Sequence, residues 1–226
     1  MTMKLLISVF LLAALTVPAR AIDKSQVDQR LRKLTAKFEQ MQAKPDKRVP
    51  AEALRKAQGI ILLDRTKAGF IFAYQGGSGL AMAKDAKTGE WSAPAFVRAD
   101  EASLGFQIGG QQAFVVILLM NSNAVHQLVD SNFDFGGEAS GTAGNSSGKA
   151  EGTVSSDSAA VVQVYTDASG LYGGAAIKGN AITTDTDANV AYYGQGLTPN
   201  EILFEHKAKP SEAATYLARQ ISVAAK

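Results

Sequence analysis

Side chains with the chemistry for catalysis are few in this sequence. Its two histidines, His126 and His206, lie in segments that predict helices, and neither lies near a nucleophile signature. Ser78 sits among glycines but is followed by Gly79 and Leu80, so the G-x-S-x-G elbow of hydrolases is absent. Residues 144–149 have three residues between glycines where a phosphate-binding loop needs four. We therefore expect no catalytic residue, no enzymatic activity and no cofactor.

Metal-ligating residues are equally sparse. The sequence contains no cysteine, which excludes thiolate metal sites and disulfides. Asp185, Asp187 and Asn189 have the spacing that begins a calcium-binding loop, but Val190 stands where that loop requires glycine. We interpret this segment as a turn rich in Asp and Asn, and we predict no metal site.

The residues that do form a pattern are basic and apolar, and they share residues 24–43. Apolar side chains recur there at spacings of four and three residues, which predicts an amphipathic helix. These side chains are Val27, Leu31, Leu34, Phe38 and Met41. Lysines and arginines occupy the other faces of the helix. The basic side chains include Arg30, Arg32, Lys33 and Lys37.

The apolar stripe of this helix has a second use. Most amphipathic helices in globular domains lay their apolar side on the core of their own domain. Docking on the domain and contact with an external partner through the apolar side exclude one another unless the helix detaches. Both uses remain open on the sequence.

Charge is distributed unevenly along the chain. Residues 22–67 contain 12 basic and 6 acidic residues, a net charge of +6, whereas residues 68–226 contain 9 basic and 15 acidic residues, a net charge of −6. A basic N-terminal region suggests an anionic partner. Alternatively, the basic and acidic parts complement each other within the fold.

The first 21 residues are predicted to be a signal peptide and not part of the fold. Lys4 precedes an apolar run of thirteen residues, and Ala19-Arg20-Ala21 has the A-x-A pattern of a cleavage site. That run is too short to cross a bilayer, which needs about 20 residues. Because a lipoprotein anchor requires a cysteine, we expect a periplasmic or secreted protein.

Residues 22–226 are predicted to form one domain, with the basic helix at 22–48 and a β-rich body at 49–226. Short apolar runs separated by glycine-rich turns, one of them at 76–79, predict antiparallel strands. The run 113–120 is apolar throughout and predicts a central strand buried on both faces. Residues 161–184 predict a meander, and Thr198 and Ser211 predict the N-caps of two C-terminal helices. The predicted fold class is α+β: an antiparallel sheet curled into a sandwich or open barrel, with helices at both chain ends.

Seven short stretches between residues 49 and 220 follow one another in a fixed order. Each is common by itself, but the seven in this order are specific to one family. They are KAQGI at 56–60, KAGF at 67–70, GGSGL at 76–80, WSAPA at 91–95, GFQIGG at 105–110, NFDFGG at 132–137 and YYG at 192–194. Taken together, they resemble the SYLF lipid-binding family, whose eukaryotic members include actin-patch and phosphoinositide-binding proteins. The resemblance implies lipid binding without enzymatic activity, and an N-terminal amphipathic segment that contacts the membrane in the eukaryotic members. It therefore implies that the candidate contacts to anionic lipid headgroups are Arg30, Arg32, Lys33 and Lys37, with Phe38 as the candidate apolar anchor. It also implies a location peripheral to a membrane.

Two functions are compatible with these observations. The first is a non-enzymatic domain of the cell envelope that binds anionic lipid, of the phospholipid or phosphoinositide type. The second is a structural or protein-interaction module of the envelope, with a protein partner and no lipid ligand. Nucleic acid is not expected, because the basic segment contains Phe38 as its one aromatic residue. Actin is not expected as a partner of an exported chain.

Overall fold

The computed structural model describes residues 22–65, 76–100, 113–127, 139–141, 150–152, 162–168, 175–177 and 182–226. The predicted signal peptide at 1–21 lies outside the described residues. So do three of the seven family stretches, at 67–70, 105–110 and 132–137.

Helices lie at both ends of the chain and strands lie between them. The helices are α1 (Lys24–Gln42), α2 (Ala51–Lys56), α3 (Ser122–His126), α4 (Thr186–Tyr193), α5 (Pro199–Leu203) and α6 (Glu212–Ala224). The strands are β1 (Gly59–Arg65), β2 (Gly76–Ala83), β3 (Ala95–Asp100), β4 (Ala113–Leu119), β5 (Ala139–Gly141), β6 (Ala150–Gly152), β7 (Val162–Ala168), β8 (Ala175–Ile177) and β9 (Ile182–Thr184).

Local signals set the ends of the terminal helices. Asp23 caps α1 by accepting a hydrogen bond from the backbone N–H of Gln26, whose side chain accepts one from the N–H of Asp23, so the two form a capping box. Thr198 and Ser211 cap α5 and α6 as predicted. Such caps satisfy backbone donors that a helix leaves unpaired in its first turn.

The described strands form two antiparallel sheets. The larger has seven strands in the order β6-β7-β4-β1-β2-β3-β9, and β5 pairs with β8 in a sheet of two. β1 lies at the middle of the larger sheet, and β4 lies between β1 and β7. All seven residues of β4 are buried, as its unbroken apolar run predicts.

Helices cover both faces of the seven-stranded sheet, because successive side chains of a strand point to opposite faces. The face that α1, α2, α4 and α6 cover includes Ile60, Leu62, Leu80, Met82, Val116 and Leu118. The face that α3 and α5 cover includes Ile61, Leu63, Ala81, Val115 and Ile117. The α+β class, the antiparallel sheet and the helices at both ends are therefore confirmed. The sheet has an open strand order, and helices pack on it.

Two local predictions are wrong. Residues 76–79 belong to β2 and are not a turn. A Cβ on Gly79 would lie 2.3 Å from the carbonyl oxygen of Leu62, so glycine allows close approach to β1. Residues 161–184 do not form a meander: β7 pairs with β4 and β6, β8 with β5, and β9 with β3.

The segment interpreted as a turn rich in Asp and Asn is instead the start of a helix. Asp185 accepts a hydrogen bond from the N–H of Ala188 and is the N-cap of α4. Asn189 lies within α4, and its side-chain amide forms two hydrogen bonds with the backbone of Phe96 on β3. Asp and Asn are N-cap residues as well as turn residues, and here the helix cap is the one realised.

Candidate binding surface around helix α1

The predicted site residues share α1 but not one environment. Phe38 is 1% exposed and packs in the core with the rest of the apolar stripe, so α1 is docked on the sheet. Docking is one of the two uses that the sequence left open. Phe38 remains a predicted apolar anchor only for a state in which α1 has left the sheet.

Undocking α1 is expensive. Five apolar side chains of the stripe, Val27 among them, are at most 1% exposed. Full burial of one such side chain contributes about 1.5–3 kcal/mol, so exposing all five costs roughly 8–15 kcal/mol. Whole domains are stable by about 5–15 kcal/mol. A state with α1 detached is therefore close in free energy to the unfolded chain.

Arg30 fastens α1 to the edge of the sheet next to α4. Its guanidinium donates to Asp185 Oδ2 at 2.8 Å and to the carbonyl oxygens of Gly79 and Val97 at 2.9 and 2.6 Å. The same group lies 5.4 Å from the ring centroid of Phe96. Arg30 is 13% exposed, so it is committed to contacts inside the protein.

Asp185 joins three elements through its carboxylate. It accepts hydrogen bonds from Arg30 of α1, from Arg98 of β3 at 2.8 Å, and from the N–H of Ala188 in the first turn of α4. Burial acts to raise the pKa of Asp185, but the hydrogen bond and charge of Arg30, together with hydrogen bonds from the N–H of Ala188 and from Arg98, outweigh it, so the pKa lies below its usual value. The carboxylate is thus held ionised in the folded state.

Asp64 has the same role for Lys33 and Lys37 of α1. Lys33 Nζ lies 2.7 Å from Asp64 Oδ2, and Lys37 Nζ lies 2.5 Å from Oδ1. Asp64 itself is 6% exposed. Burial acts to raise the pKa of Asp64, and the hydrogen bonds and positive charges of Lys33 and Lys37 together lower it by more, so the net shift is downward.

These pairs bear on the two explanations of the uneven charge. Two basic residues of region 22–67 pair with carboxylates of region 68–226: Arg30 with Asp185 and Lys44 with Asp167. Lys33 and Lys37 pair with Asp64, an acidic residue of their own region. The basic and acidic regions therefore complement each other within the fold at Arg30 and Lys44.

Arg32 has a different environment from the other cations of α1. Its side chain is 64% exposed and pairs with Asp28 one turn earlier on the same helix. It borders a groove of about 500 Å³ between α1 and α6, which Tyr216 and Arg219 of α6 also line. Tyr216 donates a hydrogen bond to Glu39 at 2.7 Å, so the two helices lie side by side.

The outward side of α1 and α6 combines cations with exposed apolar groups. We call it the α1–α6 face and define it by Arg32, Tyr216, Arg219 and Val223. Tyr216 and Val223 are 46% and 53% exposed. Among the described residues, Arg219 has no carboxylate partner. The α1–α6 face thus presents arginine and apolar surface to solvent together.

A second groove lies at the end of the α1–α6 face, where α1 stops. It measures about 530 Å³, and we call it the Gln42 groove. Arg48 and Gln42 are its polar residues, and its apolar lining comes from Pro45, Val49, Pro50, Ala51 and Ala224. Residues 44–56 around it contain five basic and two acidic residues, a net charge of +3. Its surroundings therefore favour anions.

The two histidines do not form a catalytic arrangement in the described structure. His126 ends α3 and stacks on the ring of Phe204, with ring centroids 4.8 Å apart. His206 lies beyond α5, in a turn with φ of 52°, and its Nε2 lies 3.4 Å from Asp85. Its predicted helical setting is wrong. No group of three metal-ligating side chains occurs among the residues that the structure describes.

Sequence reasoning missed the carboxylates that hold α1. Asp64 continues the apolar run of β1, and a carboxylate in such a run needs a buried cation as partner. That signal was available for Asp64. For Asp185 no signal was available, because its partner Arg30 is 155 positions away. Gln42 and Arg48 gave no signal either, because a groove depends on how helices pack.

The chain is similar to proteins of one named group. The family profile Ysc84, described as Las17-binding protein actin regulator, matches residues 100–224. SH3 domain-containing YSC84-like protein 1 of Xenopus laevis is 34% identical over 171 residues, which is 75% of this chain and 51% of the relative. The human protein of that name is 32% identical over 170 residues, 75% of this chain and 49% of the relative.

A yeast protein extends the comparison. LAS seventeen-binding protein 3 of Saccharomyces cerevisiae (strain ATCC 204508 / S288c) is 32% identical over 161 residues, which is 70% of this chain and 35% of the relative. The chain spans about half the length, or less, of the curated relatives it matches. No solved structure gives a significant match. Within the described residues, every helix is too short or too polar to span a bilayer.

Proposed function

The chain belongs to the Ysc84 (SYLF) family, and from that membership we propose that it is a non-enzymatic domain that binds anionic lipid surfaces. The contact surface in this proposal is the α1–α6 face, with α1 docked. The names of the relatives refer to Las17 and to an SH3 domain. Those names describe longer chains, and we do not extend them to this one.

The observation that carries the proposal is the composition of the α1–α6 face. Arg32 and Arg219 are exposed cations that line one groove with Tyr216, and Tyr216 and Val223 are exposed apolar groups of the same helix. Peripheral membrane proteins use both features, because cations attract the anionic headgroups and apolar groups enter the interface. Arg30 and Lys37 are not part of the contact, because they are held inside the protein.

The expected affinity is modest. Each cation near an anionic surface contributes about 1 kcal/mol, and full burial of an apolar side chain contributes about 1.5–3 kcal/mol. Tyr216 and Val223 are already half-buried, so each adds about half of that amount. Acidic neighbours Asp28, Glu39 and Glu212 reduce the attraction. Weak adsorption follows, and salt screening weakens it further.

Co-sedimentation with vesicles tests the proposal. We expect the chain to bind vesicles that contain phosphatidylglycerol at low ionic strength, to release them at high salt, and not to bind phosphatidylcholine vesicles. The double variant R32A/R219A should bind the anionic vesicles several-fold more weakly, because it removes two cations from the face.

The double variant K87A/K209A is the matched control. It also removes two positive charges, but away from the α1–α6 face. Lys87 lies in the turn between β2 and β3, and Lys209 follows Ala208, a residue that packs on the opposite face of the sheet. Equal loss of binding in both double variants would show that the attraction depends on overall charge. The α1–α6 face would then not be the contact surface. Absence of binding by the unmodified chain would end the lipid proposal.

Cell location is part of the same proposal. We place the lipid surface in the cell envelope, because residues 1–21 have the pattern of a cleavable signal peptide. Fractionation of cells that express the full sequence tests this, with the periplasmic or secreted fraction expected to contain a shortened chain. Recovery of the full-length chain in the cytoplasm would contradict it.

A protein-interaction module is the second candidate. Tyr216 and Val223 lie seven positions apart on α6, so they project from the same side of the helix, and such an exposed pair also suits a protein partner. Capture of one defined envelope protein, lost in Y216A/V223A, together with no vesicle binding would favour this function over lipid binding.

A further inference from the structure

We propose that the Gln42 groove binds the headgroup and first methylene groups of a single anionic phospholipid. This inference rests on the proposed function and assigns it a specific lipid site. In this site the side-chain amide of Gln42 and the guanidinium of Arg48 hold the phosphate oxygens, and the apolar lining contacts the hydrocarbon next to them.

The first step concerns the orientation of the Gln42 amide. Its Oε1 accepts a hydrogen bond from the backbone N–H of Val49 at 2.9 Å. Only the oxygen of the amide accepts hydrogen bonds, so this contact fixes which side-chain atom is Nε2. Gln42 thereby ties the end of α1 to the segment that leads into α2.

The second step concerns the other end of that amide. Nε2 of Gln42 is buried and has no hydrogen-bond partner among the residues that the structure describes. A buried donor without an acceptor costs about 1–3 kcal/mol. Gln42 lines the groove, so a turn of its side-chain amide toward the groove would let a ligand oxygen placed there satisfy this donor.

The third step concerns charge. Arg48 lines the same groove, is exposed, and has no carboxylate partner in the described part of the chain. Arginine binds phosphate through several parallel hydrogen bonds. An uncharged acceptor would satisfy Gln42 alone, whereas an anionic oxygen satisfies both residues.

The fourth step concerns the apolar part of the ligand. The remaining lining comes from Pro45, Val49, Pro50, Ala51 and Ala224, and it offers apolar surface beside the two polar residues. Inorganic phosphate would leave that surface unused. A molecule with one anionic group attached to hydrocarbon matches the whole lining, and at about 530 Å³ the groove is within the usual size range of ligand sites.

Titration by nuclear magnetic resonance tests the groove without vesicles. The probes are dihexanoyl phosphatidylglycerol below its micelle concentration, dihexanoyl phosphatidylcholine and inorganic phosphate. We expect the two side-chain N–H signals of Gln42, identified by their loss in Q42E, to shift with phosphatidylglycerol alone. A shift with inorganic phosphate at the same concentration would make this a plain phosphate site and overturn the lipid assignment. No shift with any probe would overturn the proposal.

Q42E is the sharpest variant for the same titration. A glutamate at this position retains an oxygen that accepts from the N–H of Val49, and it replaces the free donor by a negative oxygen. We expect Q42E to bind dihexanoyl phosphatidylglycerol about tenfold more weakly. The control Q40E adds the same charge at the exposed Gln40 on the same helix and should bind normally.

R48A provides a second variant if Q42E does not fold. Arg48 is exposed, so its removal does not disturb the core, and roughly tenfold weaker binding is expected. K87A removes a cation from the turn between β2 and β3 and should have no effect. Normal binding of the short-chain lipid by R48A would overturn the proposal.

Vesicle binding separates this proposal from the one on which it rests. If Q42E and R48A bind phosphatidylglycerol vesicles as the unmodified chain does, the Gln42 groove is not a lipid site. Lipid binding by the α1–α6 face is then still supported. If the unmodified chain does not bind vesicles at all, lipid binding by the face fails, and the titration with short-chain lipid still decides the groove.

Discussion

Arg30 and Arg32 lie two positions apart on α1 and carry the same charge, yet their surroundings are opposite. Arg30 is 13% exposed and bonded to Asp185 and two backbone carbonyls, whereas Arg32 is 64% exposed and bonded to one carboxylate of its own helix. Two positions are about 200° apart around a helix of 3.6 residues per turn. Angular position therefore decides whether a cation holds the fold together or faces a partner.

The same division applies to the whole predicted site. Arg30, Lys37 and Phe38 belong to the inward side of α1, and Arg32 belongs to its outward side. Lys33 is shared, because it is 57% exposed and also pairs with Asp64. A variant with all four cations replaced by alanine would lose buried ion pairs together with surface charge. Its failure to bind lipid would say nothing about headgroup contacts.

F38A should have the largest effect on stability. Phe38 is among the largest fully buried side chains, and a phenylalanine-to-alanine change in a core costs about 3–5 kcal/mol. Urea unfolding followed by circular dichroism measures the loss. An exposed membrane anchor would instead give a variant of normal stability and reduced vesicle binding, and that result would show that α1 is undocked in solution.

D64N should have the second largest effect. It removes the charge that Lys33 and Lys37 share and leaves Lys37, which is 20% exposed, without a carboxylate in this contact. Breaking a fully buried pair costs about 3–5 kcal/mol. We expect about 2–3 kcal/mol here, because solvent reaches both lysines. D28N is the control on the outward side and should cost less than about 0.5 kcal/mol. Equal losses in D64N and D28N would contradict the inward–outward division.

Lowering the pH should reduce the difference in unfolding free energy between D64N and the unmodified chain. The pKa of Asp64 in the folded state is lowered from its model-peptide value of 3.8, so its stabilising contribution is present above that pH and is lost as the pH falls through the folded pKa. D64N lacks this contribution at every pH. Urea midpoints of both chains at pH 6 and pH 3 measure this difference. A difference of the same size at both pH values would mean that Asp64 is not held ionised by Lys33 and Lys37.

Part of this division was accessible from sequence. Arg30 lies three positions after Val27 and four before Leu34, and Lys37 lies three after Leu34 and four before Met41. Residues with such spacing border the apolar stripe of a helix. Both cations were therefore expected to lie at the edge of the surface on which the stripe packs. The helix itself and its stripe are local features, and they were predicted for that reason.

What sequence could not provide is the non-local part of the fold. Asp185 meets Arg30 only because β9 joins the edge of the sheet at β3, a pairing that no local pattern encodes. The expected meander failed for the same reason. The Gln42 groove depends on how α1, α2 and α6 meet, so its residues became visible only once these helices were placed.

R32A should have the smallest effect on stability and is the most direct check of the outward side. Arg32 is paired with one exposed carboxylate, and such a pair contributes about 0–1 kcal/mol, so we expect a change within about 0.5 kcal/mol. R30A, two positions away, leaves Asp185 with one arginine fewer and should lose several times as much. Thermal unfolding of both variants, with vesicle binding of R32A alongside, measures the contrast. If R32A is as unstable as R30A, the exposed side of α1 is structural, and the α1–α6 face cannot be the surface on which a lipid bilayer rests.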